Sequence, residues 1–214
     1  MPVILGDYDA LARLLPSALI ALDWNGTTVD DAIRTRACLN AALRPFGVGP
    51  FDEAAFSAKF MLPMEAMMAG LGVAPEDVDA AVAAWNNEIS DHPAPLAPGA
   101  ETLLRELHRQ GRPGGVISAA HIRAVEADAE RLGIRQWLRF MVGDAQPKSA
   151  PLRELAALGE GPVIYAGDTE YDITEAIAAG AVPVGYAGGY RPAEALLAAG
   201  AIAVIDDLAL LLGR

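Results

Sequence analysis

Residues 18–28 read ALIALDWNGTT: five apolar residues, an aromatic between an acid and an amide, a glycine, then two hydroxyls. The unbroken apolar run Ala18–Leu22 has the length and character of a strand buried on both faces. It stops at Asp23. Burying an ionised carboxyl costs free energy, so an acid closing such a strand is placed for chemistry. Two positions on, where a second acid would complete a catalytic pair, the chain carries Asn25.

Outward from this stretch the texture changes twice. Upstream, LGDYDALARLL has helical spacing and reads as a leading helix. From residue 31 to 97 the pattern is helical almost throughout: DAIRTRACLNAAL, DEAAFSAKFM, MEAMMAGLG and APEDVDAAVAAWNNEI, separated by RPFGVGP, Leu62–Pro63 and Gly72. After HPAPLAPG, helices near 100–110, 121–132, 150–158, 171–179 and 192–199 alternate with the strand-like segments PGGVIS, RFMV, GPVIYAGD, AVPVGY and AIAVI. Strands alternating with crossover helices predict an α/β fold with a doubly wound, mostly parallel sheet. The expected organisation is a core of residues 1–30 and 98–214 interrupted by a helical cap at 31–97.

The totals narrow the function. A net charge of −12 over 214 residues repels nucleic acid and anionic membranes, so neither is expected as a partner. The apolar runs are too short and too broken to span a bilayer. The lone Cys38 excludes an internal disulfide and a cysteine zinc site, and a cytoplasmic location is expected. Only two of the 16 basic residues are lysines, Lys59 and Lys148, which asks what an ammonium does at those places.

Sheets of this kind bind ligands outside the carboxyl ends of their strands. Asp23, Ser118, the loop carrying Lys148, and Asp168 all fall there. Asp23 and Asp168, brought close, repel unless a cation lies between them. A hard divalent ion suits the pair, and Mg²⁺ is the usual choice when phosphate is also a ligand. Lys148 can keep Asp23 ionised and bind a phosphoryl oxygen, while Ser118 and the N–H groups after Gly26 donate to the remaining oxygens. Such a site lets Asp23 attack phosphorus with its charge neutralised.

DWNGTTVDD, GVIS, QPKSAP and AGDTEYD, in that order, resemble the four motifs of the haloacid dehalogenase-like hydrolase superfamily. With the helical insert, the chain past residue 17 is similar to its phosphoglycolate-phosphatase-like branch. The resemblance implies a Rossmann-like core and a nucleophilic Asp23 that forms an aspartyl-phosphate. It implies Mg²⁺ held by Asp23, the Asn25 carbonyl and Asp168, with Asp172 supporting it through water. Ser118 and Lys148 hold the phosphoryl group, Thr27 shapes the turn beside it, and Lys59 and Glu65 of the cap are candidate substrate contacts. The expected substrate is a small phosphorylated metabolite.

Asn25 departs from that pattern, because the family's usual residue there is the general acid and base. An amide keeps the carbonyl for the metal but transfers no proton at neutral pH, which removes assistance worth ~10²- to 10⁴-fold. Two other readings therefore stay open. DWNGTTVD is close to the DWAGTTVD of phosphonoacetaldehyde hydrolase, which cleaves a C–P bond but needs a cap lysine where this chain has Pro63, with Lys59 one helical turn earlier. A catalytically weak phospholigand-binding or regulatory protein is the other. Met64, Met67 and Met68 recur at helical spacing and read as packing between cap helices. Trp24 is expected under or beside the cap, and GGYRP (188–192) as a loop at the far end of the sheet with Arg191 solvated. His121 is expected as a surface or helix-capping residue, with acid–base work in place of Asn25 as the sharper alternative.

Overall fold

The computed structural model describes residues 4–61, 63–92, 94–159 and 161–213, so Leu62 of the Leu62–Pro63 break lies outside the described residues. Seven strands form one sheet: β1 (Ile4–Gly6), β2 (Leu19–Leu22), β3 (Gly114–Ile117), β4 (Phe140–Val142), β5 (Val163–Gly167), β6 (Val182–Tyr186) and β7 (Ala203–Ile205). Their spatial order is β1-β7-β6-β5-β2-β3-β4, and every pairing is parallel except β1 against β7. The expected doubly wound sheet is what the chain forms. The edge strand β1 was not expected. At three residues it is too short to show a period, and its pairing Ile4↔Ile205 to Gly6↔Ala203 comes from the far end of the chain. The leading helix α1 (Tyr8–Leu14) follows it, started by Asp7 accepting from the Ala10 N–H.

Register explains how the faces are filled. Leu19 and Ala21 lie opposite Val163 and Tyr165, so all four point to one face. There they meet Leu152 of α8 (Ser149–Ala157) and Ala176 of α9 (Glu170–Ala179) in one buried cluster. α6 (Ala100–Arg109) buries Ala100, Leu103, Leu104 and Leu107, an i, i+3, i+4, i+7 stripe, and meets the sheet where Leu107 lies against Gly114 of β3. α7 (Ile122–Arg131) leads towards β4, and α10 (Ala193–Ala198) contributes Leu196 to a cluster with Ile173 and Val204.

The chain divides into two compact units, Met1–Asp30 with Pro95–Arg214, and Asp31–Ala94. Residues 95–97, grouped with the helical block by sequence pattern, pair instead with the strand exit. Asp30 donates to the Pro95 carbonyl, Val29 bridges Leu96, and Ala97 donates to Thr28. The second unit holds α2 (Ala32–Leu43), α3 (Glu53–Lys59), α4 (Met64–Gly70) and α5 (Val78–Asp91). Met64, Met67 and Met68 are buried, as their spacing predicts.

Candidate active site

β2 lies between β3 and β5, with Leu22 opposite Val116 on one side and Ala166 on the other. From β2 the chain steps outward through β3 and β4, then returns to the other flank as β5. This is a topological switch point, where sheets of this kind open a ligand crevice. Asp23 leaves the sheet there, its N–H donating to the Ala166 carbonyl at 2.8 Å. Ser118 and Asp168 follow the ends of the two flanking strands, so three of the predicted residues reach one edge by register alone.

Beyond Asp23 the chain turns tightly. The Trp24 carbonyl accepts from the N–H groups of Thr27, Thr28 and Val29 at 3.3, 2.9 and 3.0 Å. Gly26 takes φ +74°, and a Cβ there would lie 2.3 Å from Asp168 Oδ2. Both facts require glycine. Gly189, in the loop after β6, is as close: a Cβ would lie 2.2 Å from the same oxygen. Asp168 is therefore reached by two stretches of bare backbone. It accepts from Thr27 Oγ1 at 2.9 Å and from the Tyr190 N–H at 2.8 Å.

Lys148 stands at the start of α8 and is fully buried. Its Nζ lies 2.6 Å from Asp172 Oδ1 and 2.8 Å from Asp23 Oδ1. The contact with Asp172 is a hydrogen bond. The contact with Asp23 is an ion pair of poorer hydrogen-bond alignment, so that oxygen is held by charge more than by a directed hydrogen bond. Asp172 is more fully engaged. Its Oδ2 accepts from the Thr169 hydroxyl and N–H at 2.6 and 3.1 Å in a capping box that starts α9. The Tyr165 hydroxyl lies 3.3 Å from its Oδ1.

Asp23, Asp168 and Asp172 each offer a carboxylate oxygen, all within 4.8 Å of one another, and all three residues are buried. One ammonium faces them. The Asp23 carboxyl is pushed up to about 6, by burial first and by repulsion from Asp172, against the pull of Lys148. Burial also raises Asp168 well above its ordinary range, with repulsion from Asp172 and Asp23 adding to it. Burial opposes the charge on Lys148, but Asp172 and Asp23 outweigh it and the ammonium is held more firmly than usual. Three buried acids facing one base form a donor set suited to a divalent cation.

The remaining expectations fare unequally. Asn25 sits half-buried in the turn beside Gly26. Ser118 is buried, with Oγ accepting from the Ala120 N–H at 3.2 Å. The Thr27 hydroxyl is committed to Asp168, which makes it a support for that acid. Lys59 and Glu65 belong to the helical unit and are exposed, with Lys59 Nζ 5.6 Å from the Phe51 ring centroid. His121 caps α7, as expected, accepting from the Arg123 N–H at 3.2 Å. The Trp24 indole N–H points to Asp128 of α7, inside the core unit, at 3.4 Å.

One expectation is overturned. GGYRP does not lie at the far end of the sheet but meets Asp168 through Gly189 and Tyr190, and Arg191 pairs with Glu170. Sequence reasoning passed over this loop because its contribution is a backbone N–H and a missing Cβ. The signal was present all the same: a loop leaving the carboxyl end of a parallel strand belongs to the ligand edge.

Residues 20–185 match the family model of the haloacid dehalogenase-like hydrolases. A phosphoglycolate phosphatase of Cereibacter sphaeroides is 30% identical over 191 residues, covering 81% of this chain and 87% of that protein. One from Synechococcus elongatus is 28% identical over 188 residues, covering 84% and 88%. Among solved structures, a haloacid dehalogenase-like family hydrolase from Streptococcus pneumoniae superposes with a TM-score of 0.74 at 20% identity, covering 86% of this chain and 91% of that one. CbbY from Rhodobacter sphaeroides, solved with xylulose 1,5-bisphosphate, gives 0.74 at 20% identity, covering 90% and 95%. The sheet order, the match over residues 20–185 and these relatives agree: the chain belongs to the haloacid dehalogenase-like hydrolases, in their phosphoglycolate-phosphatase-like branch.

Proposed function

We propose that the protein is a Mg²⁺-dependent phosphatase that hydrolyses a small phosphorylated metabolite through a phospho-Asp23 intermediate. The observation that carries this reading is the buried cluster in which three acids meet one lysine, itself paired with Asp23 and Asp172. Asp23, Asp168 and the Asn25 carbonyl would hold the cation, with Asp172 supporting it through water. When bound, the cation neutralises charge on the phosphoryl oxygens and on the attacking carboxylate.

Asp23 attacks phosphorus and the P–O ester bond breaks. Water then attacks the acyl phosphate, which releases phosphate and restores the carboxylate. Lys148 keeps Asp23 ionised and donates to a phosphoryl oxygen, as does Ser118. Asp172 orients Lys148 through their 2.6 Å hydrogen bond. Asn25 can donate a hydrogen bond to the leaving oxygen but not a proton, so that proton comes from water or the substrate. The substrate favoured is a phosphorylated hydroxy acid of the phosphoglycolate kind, because the relatives carry that name. In the same reading the helical unit acts as a cap, with Lys59 and Glu65 as its specificity contacts.

Phosphate release from a panel of phosphomonoesters including 2-phosphoglycolate, with and without Mg²⁺, tests the proposal. The expected result is slow, Mg²⁺-dependent release that Asn25→Asp accelerates by ~10²-fold or more. Mg²⁺-dependent binding without turnover in either protein would overturn it.

A further inference from the structure

The loop after β6 makes a contact that the reading above leaves without a cause. Tyr190 donates its N–H to Asp168 Oδ2 at 2.8 Å, which requires the loop to lie down on the sheet edge. Gly188 and Gly189 precede it, and paired glycines give a loop wide conformational freedom. The buried Tyr190 ring is one anchor for the loop, and a second lies on its far side. Arg191 is the next residue. Its Nε donates to Glu170 Oε1 and Oε2 at 3.0 and 2.8 Å, and its Nη2 donates to Oε1 at 2.7 Å. Glu170 opens α9 two residues after Asp168. Both ends of the tie are thus measured from the same carboxylate: one residue beyond the N–H that contacts it, and two residues beyond the acid itself.

A partly exposed ion pair of this kind contributes little to stability. The Arg191 and Glu170 side chains are 25% and 36% exposed, so burial is not what the pair provides. What a bidentate guanidinium fork provides is fixed geometry. Thr27 donates to Oδ1 and Tyr190 to Oδ2, and together these donors set the plane of the Asp168 carboxylate. Groups that orient a metal carboxylate in this way are commonly worth 10- to 100-fold in metal affinity, and a single such donor roughly 10-fold.

We propose that Glu170 and Arg191 form a positioning clamp that seats the Tyr190 N–H on Asp168 and so sets the affinity of the site for its divalent cation. The clamp rests on the reading of Asp168 as a metal carboxylate. Neither residue touches the reacting atoms.

Mn²⁺ binding followed by electron paramagnetic resonance, with no substrate present, separates the possibilities. It is run on wild type, Asp168→Asn, Glu170→Gln and Arg191→Gln, with melting temperatures alongside. The clamp predicts that Glu170→Gln and Arg191→Gln both weaken Mn²⁺ binding by about 10-fold, at nearly unchanged melting temperature. It also predicts faster exchange of the Tyr190 amide in both. An effect of bare charge gives opposite signs instead, weaker binding on losing the Glu170 anion and tighter binding on losing the Arg191 cation; that pattern overturns the clamp. Wild-type affinity in Arg191→Gln alongside loss of binding in Asp168→Asn also overturns it. Unchanged binding in Asp168→Asn refutes the metal-site reading itself, a different failure with a different signature.

Discussion

Two buried ionic clusters in this chain put charge to opposite uses. In the helical unit, Asp31 Oδ2 accepts from Arg34 Nη2 at 3.0 Å and Thr35 Oγ1 at 3.0 Å, and Arg34 Nη1 donates to the His92 carbonyl at 2.7 Å. One acid meets one base, and neutral groups fill in around them. At the carboxyl edge of the sheet, three acids meet one base. The first arrangement is balanced in charge and ties the start of α2 to the end of α5. The second carries excess negative charge that burial alone would not tolerate. Balance is what separates a structural ion pair from a site shaped for a cation, and the two clusters should respond differently to the same kinds of perturbation.

The largest difference is expected on activity. Asp23→Asn should reduce turnover by about 10⁴-fold or more, because it removes the proposed nucleophile. It should leave the melting temperature of metal-free protein equal or higher, because it also removes a repelled charge. Steady-state phosphate release and differential scanning fluorimetry on one preparation check both halves. A variant that kept a tenth of wild-type turnover would end the case for Asp23.

The balanced cluster should fail the other way. Arg34→Met leaves Asp31 buried without its cation, a loss of about 3–5 kcal/mol. Denaturant unfolding of the variant should show that loss while Mn²⁺ affinity stays within about 2-fold of wild type, a difference below ~0.5 kcal/mol. Equal stability of Arg34→Met and wild type would mean that Asp31 finds another partner, and the contrast between the clusters would weaken.

The pH dependence follows from the raised carboxyls, and its sign can be worked out. The Asp23 carboxyl moves from 3.8 to about 6, so between those values the folded protein holds a proton that the unfolded chain has released. Stability from this group is therefore fully present near pH 4 and is lost as pH rises through about 6; Asp168, raised well above its ordinary range, extends the loss upward. Asp23 alone accounts for a change on the order of 3 kcal/mol. Without metal, Asp168→Asn should gain on wild type between pH 4 and 7, and saturating Mg²⁺ should cancel the gain by binding the folded wild-type protein. Thermal melts across that range, with and without Mg²⁺, decide the matter; parallel curves for the two proteins would show that the acids do not repel.

What could be read from the sequence divides along the same line. Asp23, Ser118 and Asp168 were legible because parallel strands deliver their last residues to one edge, and Lys148 because it is one of only two lysines and lies in a loop after such a strand. The place of Asp172 beside Asp23 and Lys148 was expected only through the family pattern; the distances come from packing between α8, β5 and α9. The 188–192 loop was misplaced because backbone N–H groups leave no trace in residue identity, and Gly189 reads as a turn until Asp168 is seen against it. β1 was missed because three residues carry no period, and its partner lies about two hundred positions away. The Arg34 pair was missed because an arginine on a helix looks the same in sequence whether solvated or buried.

The smallest effects are expected at Lys59 and Glu65, which are exposed where the edge residues are buried. An exposed side chain contributes through what it touches on the substrate, so truncation removes one solvated contact, typically worth ~1 kcal/mol. Lys59→Ala and Glu65→Ala should then change kcat/KM by less than about 10-fold for any one substrate. They should do so mainly through KM, since binding lost equally from ground and transition states leaves kcat alone. The informative quantity is the ratio between substrates. If Lys59 meets a substrate anion, Lys59→Ala should penalise 2-phosphoglycolate more than a neutral phosphomonoester of the same size. Equal penalties would mean that the lysine senses only the phosphoryl group common to both. No penalty on either substrate would remove Lys59 from the set that selects the substrate.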